Sequence, residues 1–117
     1  TDKYSMPTRA EAIAGWVEAL LARKGTRGLF HLTQVGEPQS WWSYGTRALA
    51  IAHELGLLPE PVEIRPTRMS ELKIFKAARP RHTAMKPLRL MEEMELTVSE
   101  WSFEVRRHLE SRAAECR

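Results

Sequence analysis

The chain has 117 residues, of which 43% are hydrophobic and 28% charged, with a net charge of +3. That describes one globular domain or a part of one, and is too apolar for intrinsic disorder. No uncharged apolar run approaches the length of a membrane-spanning helix, and no signal peptide opens the chain. The single cysteine, Cys116, cannot pair within the chain and cannot build a thiolate zinc site alone. A reducing compartment such as the cytoplasm fits this cysteine usage. The first residue is Thr1 rather than Met, so the chain is expected to be processed, trimmed or cut from something longer.

The first helix is signalled by Ile13, Trp16, Val17, Leu20 and Leu21, which fall on one face at helical spacing. Thr8 with Glu11 three residues on predicts a capping box, Pro7 favours the same boundary, and Gly25 stops the helix. Gly28 to Thr33 is short, apolar and bounded by glycines, and predicts a buried strand. His31, inside it, reads as a satisfied core histidine. A second helix is predicted from about Trp41 to Leu55, with Ser40 as its cap and Gly56 as its stop. Its inward face would be Trp41, Gly45, Ala48, Leu49, Ala52 and Leu55. A further short strand, Val62 to Arg65, precedes Pro66.

Residues 67–87 show no clean period and predict a long loop with a helical turn near Ser70 to Lys76. Loops of that length in compact domains are functional or disordered. A short helix from Pro87 to Met94 follows, with proline in its first turn. The last helix runs from about Ser99 to Arg112. Val98 and Phe103 stand at staple spacing, and Trp101, Val105 and Leu109 line its buried face. The fold class is α/β and mainly helical, with about four helices and two or three short strands. Two strands cannot form a self-sufficient sheet. Either the helices supply most of the core or the strands join a sheet made by other residues.

The charge is unevenly placed. Residues 65–89 hold eight cations (Arg65, Arg68, Lys73, Lys76, Arg79, Arg81, Lys86 and Arg89) and one acid, Glu71. That stretch carries +7 and leaves −4 for the remainder. Such a segment on a near-neutral body points to a local anion site, or to a solvated loop balanced by Glu92, Glu93 and Glu95.

Enzyme motifs are missing from the sequence. The six glycines never fall in a dinucleotide or Walker spacing, and the four histidines lie far apart with no H-E-x-x-H. No G-x-S-x-G elbow is present. Neither Tyr4 nor Tyr44 has a lysine four residues on. Two features remain. Ser40-Trp41-Trp42-Ser43-Tyr44 places aromatics at a helix start, where they can stack on a planar ring or a sugar; alternatively Trp41 is core and Trp42 half-exposed. Ala78-Arg79-Pro80-Arg81 holds an arginine extended before a proline, its fork suited to a phosphate or carboxylate, or else to a rim salt bridge.

Together these segments resemble the C-terminal part of the dTDP-4-dehydrorhamnose reductase family, among the extended short-chain dehydrogenase/reductases. Asp2-Lys3-Tyr4-Ser5-Met6-Pro7-Thr8 is similar to the family's D-x-Y-G-x-P-T, with Ser5 replacing the glycine. Gly28-Leu29-Phe30-His31-Leu32 resembles its G-I-Y-H-L strand, and Ser40-Trp41-Trp42-Ser43-Tyr44 its S-W-Y-x-F. Residues Ala78 to Met85 resemble A-x-R-P-x-x-S-x-L, and Trp101 fits the tryptophan of the final helix. The family's aspartate after the R-P block is Lys86 here, and its lysine three positions on is Arg89.

The resemblance implies the substrate-binding part of a nucleotide-sugar reductase, without the Rossmann half that carries the glycine-rich loop and the catalytic tyrosine and lysine. It implies no catalytic residue and no cofactor on this chain alone, with NADPH or NADH serving the complete enzyme. Arg79, Arg81 and Trp41 become the candidate substrate contacts. The implied partners are a Rossmann half, in the same longer chain or a separate subunit, and a nucleotide-linked sugar; a homodimer is open. Two other functions compete. The regulatory subunit of methionine adenosyltransferase belongs to the same fold family and has a similar R-P block, which implies a non-catalytic interaction module. A pI of 9.4 suggests a nucleic-acid binder, but no recognised motif accompanies it and the charge is confined to one loop.

Overall fold

The computed structural model describes residues 1–115. Cys116 lies outside the described residues, and with it the expectation about its pairing. Four helices follow in order: α1 (Ala10–Ala22), α2 (Trp41–Glu54), α3 (Leu88–Met94) and α4 (Trp101–Glu115). Two short strands, β1 (Tyr4–Ser5) and β2 (Gln39–Ser40), pair antiparallel, with Tyr4 opposite Ser40 and Ser5 opposite Gln39. The mainly helical α/β class is as expected, but the strands are elsewhere. Gly28 to Thr33 and Val62 to Arg65 form no strand, and an isolated bridge joins Val35 to Glu100 instead. The apolar run at 28–33 finds no neighbouring strand to bond with; Leu29 is 75% exposed and His31 is exposed rather than core. At 62–65 the Ile64 carbonyl accepts from the Trp42 indole at 2.9 Å, so it is a side chain that holds this segment.

The helix boundaries are largely those the sequence predicts, for partly different reasons. Ser40 caps α2 as expected, its Oγ accepting from the Ser43 amide at 3.0 Å. Gly25 and Gly56 follow the ends of α1 and α2 with positive φ. The capping box of α1 does not form. The Thr8 hydroxyl is engaged by Thr33 at 3.1 Å and by the Gln34 amide at 3.4 Å. The orphan Arg9 amide is met by Gln34 Oε1 at 3.3 Å, from 25 residues away, and Glu11 pairs with the Arg9 guanidinium. In α4 the Glu100 carboxylate, not Ser99, accepts from the Ser102 amide at 2.8 Å. The Ser99 carbonyl is already taken by Val35 N and Gln34 Nε2. Phe103 is 59% exposed and does not close over Val98 as a staple would. The helical turn expected at 70–76 is a single 3-10 turn at Met69–Glu71.

The core is small. Ile51, Ala52, Leu90, Val98 and Trp101 are its buried apolar residues. The inward face of α2 is largely the one expected, with Ala52 buried and Gly45, Ala48, Leu49 and Leu55 partly buried; Ile51 joins it as a fully buried residue and Trp41 lies outside. Two glycines let backbones close on this core. A Cβ on Gly36, which has φ +127°, would come within 2.8 Å of the Trp101 ring; one on Gly45 would come within 2.8 Å of Ile64 Cδ1. Helix α1 fully buries none of its residues. The molecule is a slab of 49 × 42 × 22 Å with a radius of gyration of 16.7 Å, where a compact chain of this length would have about 13 Å. Its accessible surface is 8647 Å², against about 6,500 Å² for a closed monomer of this mass. Among the described residues no helix is long and apolar enough to cross a membrane.

Leu90→Ala, which empties a fully buried site, is expected to cost about 2–5 kcal/mol. Phe103→Ser should change stability by less than about 0.5 kcal/mol. Urea unfolding followed by circular dichroism compares the two, and equal midpoints would show that Leu90 is not core.

Candidate functional site

The site is built on β1. Its first residue stands between two segments distant in sequence. On one side the Lys3 carbonyl accepts from the Trp41 amide at 3.2 Å, which fixes the start of α2. On the other, Tyr4 N donates to the Arg81 carbonyl at 2.7 Å and Tyr4 O accepts from the Thr83 amide at 2.9 Å, a parallel bridge to His82. The Tyr4 and His82 rings stack at 6.0 Å. The two segments singled out in the sequence, 40–44 and 78–85, therefore flank one short strand.

Two neighbours of Tyr4 secure the basic loop. Asp2 Oδ1 accepts from the Met69 amide at 2.8 Å and anchors the 3-10 turn. That bond, helped by the Arg81 guanidinium at longer range, holds the Asp2 carboxyl below its ordinary value of 3.8. Lys3, only 8% exposed, directs its ammonium to the Thr83 hydroxyl at 3.0 Å. Ion pairing with the later glutamates is confined to Arg89, which binds Glu93. Arg89 also donates to the Leu29 carbonyl at 3.1 Å and the Arg27 carbonyl at 2.6 Å, and lies over the Phe30 ring. It is a clamp on 27–30 and stands apart from the site. The other seven cations of the loop make no ion pair among the described residues.

The three candidate residues occupy definite places. Trp41 is not core; it is 49% exposed at the head of α2. It meets the Phe75 ring edge-on at 6.3 Å, and the Arg79 guanidinium lies over the same Phe75 ring at 4.8 Å. Trp41, Phe75 and Arg79 thus form one exposed cluster. Arg81 lies outside this cluster; its carbonyl accepts from Tyr4, and its side chain is exposed. On the other side of Trp41, Ser5, Pro7, Thr8 and Tyr44 complete a pocket of about 350 Å³. A larger apolar groove of about 450 Å³ continues beyond Tyr44 between the start of α1 and helices α2 and α4. Tyr44 belongs to the aromatic block that the sequence brings out, whereas Phe75 and Lys3 are additions it does not single out. For Phe75 a signal existed, because it is the one aromatic within the basic loop; for Lys3 nothing in the sequence announced burial.

Half-exposed Trp41, partly buried Phe75 and the Arg79 guanidinium, which makes no ion pair among the described residues, thus lie together beside a small pocket. The chain belongs to the RmlD substrate binding domain family, whose model matches residues 1–113. No curated protein and no solved structure matches the chain.

Because the Asp2 carboxyl is held low, its bond to Met69 is complete above the ordinary carboxyl range and is lost as pH falls below 3.8 through the lowered value. Asp2→Ala removes it at every pH. Faster hydrogen exchange at the Met69 amide is the expected readout in both cases. Unchanged exchange in Asp2→Ala would show that this bond does not anchor the loop.

Proposed function

We propose that the chain is the substrate-binding portion of an NAD(P)H-dependent dTDP-sugar reductase of the extended short-chain dehydrogenase/reductase type, and that it is not catalytic by itself. The observation that carries this reading is the meeting of Trp41, Phe75 and Arg79 in one exposed cluster, within a family defined by substrate binding. The diphosphate of a nucleotide-linked sugar carries two negative charges at neutral pH. In this reading Arg79 meets it with a fork whose rigid donors suit phosphate oxygens. Arg81, set two residues on and fixed by its carbonyl on Tyr4, is the second cation. Trp41 supplies a flat apolar wall for a ring.

The residues of this chain do not fit the dinucleotide. Its positive-φ glycines, 25, 28, 36 and 56, lie at turns, and none belongs to a glycine-rich loop opening a helix. The NADPH or NADH of the reading is therefore held by a Rossmann half. The uncovered surface supports such a partner. Leu29, Val17 and Leu21 are exposed, and the unpaired 28–33 segment has a composition suited to completing a sheet. Cytoplasmic residence follows from a cytosolic cofactor and sugar nucleotide.

The same uncovered surface favours a second reading, a non-catalytic module that docks a protein through this face. Calorimetry with dTDP-glucose separates the two. Binding is expected for the wild type, weakened about ten- to a hundredfold by Arg79→Ala, the range for a lost charge-assisted hydrogen bond. Wild-type affinity in Arg79→Ala would remove Arg79 from the site. Absence of any binding, with a stoichiometric protein complex formed, would favour the docking module.

A further inference from the structure

We propose that the sugar ring of the ligand occupies the pocket between β1 and α2, and that Ser5 selects for it; this rests on the reading that the chain binds a nucleotide-linked sugar. The pocket has about 350 Å³, near the lower end of small-molecule sites. That is room for one ring, and the rest of a nucleotide sugar extends past Trp41 or past Tyr44, where the larger groove continues. The way past Trp41 is the one that leads to Arg79. Trp41 lines the pocket and also meets Phe75, over which Arg79 lies. A ligand with its ring beside Ser5 and Tyr44 that leaves past Trp41 brings its next group to the guanidinium.

The lining identifies the ring. Trp41 and Tyr44 offer aromatic faces and Pro7 an apolar one. The polar groups are hydroxyls. That of Thr8 is spent on Met6 and Thr33, whereas those of Ser5 and Tyr44 make no hydrogen bond among the described residues. A nucleobase edge is read by amides, carboxylates or guanidinium groups, and none lines this pocket. A pyranose presents alternating C–H faces and hydroxyls, which aromatic rings and free hydroxyls match. No charged side chain lines the pocket either, so the ring it takes is neutral. Ser5 stands where the related motif has glycine, and it puts both a hydroxyl and a Cβ into this space. Its backbone is held in register by Gln39.

The test is calorimetry on the full chain with two probes, dTDP and dTDP-glucose, for the wild type, Ser5→Ala and Ser5→Gly. Both variants are expected to lose about three- to tenfold in affinity for dTDP-glucose, the range of one hydrogen bond. Affinity for dTDP should stay at the wild-type value. Equal losses for both probes, or none for either, would overturn the ring assignment while leaving the nucleotide-sugar reading intact. Failure of the wild type to bind either probe would sink that reading, and this proposal with it.

Discussion

Tyr4 uses its backbone amide and carbonyl on Arg81 and Thr83, while the neighbouring Lys3 carbonyl holds the Trp41 amide. Everything at the site depends on this strip of bonds. It brings residue 41 and residue 81 to opposite sides of one chain segment, although forty residues separate them in sequence. Strands of two residues are marginal in isolation. Here they are reinforced by side chains: Asp2 on Met69 and Lys3 on Thr83. A buried ammonium is costly unless bonded, and Lys3 answers that cost by bonding Thr83, two residues from Arg81. The result is a rigid frame under an exposed cluster, the arrangement that lets exposed side chains meet a ligand without first being ordered.

The packing beneath this frame is only partly closed. Five apolar residues form the core, and the slab is 22 Å thick along its short axis, room for about two layers of secondary structure. Most apolar residues of α1 and of 28–32 sit at the edge of that core or outside it. An apolar segment that finds no strand partner within its own chain keeps its backbone groups for water or for a second surface. Thr33 and Gln34 bond to Thr8 and Arg9 through side chains, and backbone-to-backbone bonding resumes at Val35, through Val35 N to Ser99 O and Trp101 N to Val35 O. Upstream of that point the Arg89 clamp alone ties 27–30 down, from α3.

Local signals were legible in the sequence where they rest on local chemistry. Ser40 as a cap, Gly56 as a stop and Pro87 before a short helix all act within a turn of themselves, and all are present. The capping box at Thr8 was not, because Thr33 and Gln34 compete for the same hydroxyl from across the fold. The strand signal at 28–33 failed for a related reason. Periodicity reports that a segment would pair if a partner were present, and says nothing of whether the partner belongs to the same chain. The site was half legible. Motif likeness brought out Arg79, Arg81 and Trp41, but their meeting depends on Phe75 and on the Tyr4 bonds, which no spacing rule reveals. At the head of α2 the Trp42 indole donates to the Ile64 carbonyl, a contact between residues 22 apart, while Trp41 stays half-exposed.

The basic loop illustrates how position and charge can be assigned to different groups. Seven like charges on one loop repel each other, and no carboxylate among the described residues draws them in at ion-pair distance. Beside the Asp2 carboxylate on the Met69 amide and the Lys3 ammonium on the Thr83 hydroxyl, what holds the loop is neutral or aromatic: the Tyr4 amide and carbonyl, and Phe75 against Trp41. Backbone bonds of this kind do not weaken with salt, whereas exposed ion pairs do. The loop therefore keeps its place while its cations remain available. Had Glu92 and Glu95 paired with its cations, an anionic ligand would first have to break those pairs. Arg89, the one cation of the stretch that is so paired, lies on α3 and serves structure. The division between Arg89 and the other seven is thus the physical boundary of the candidate site.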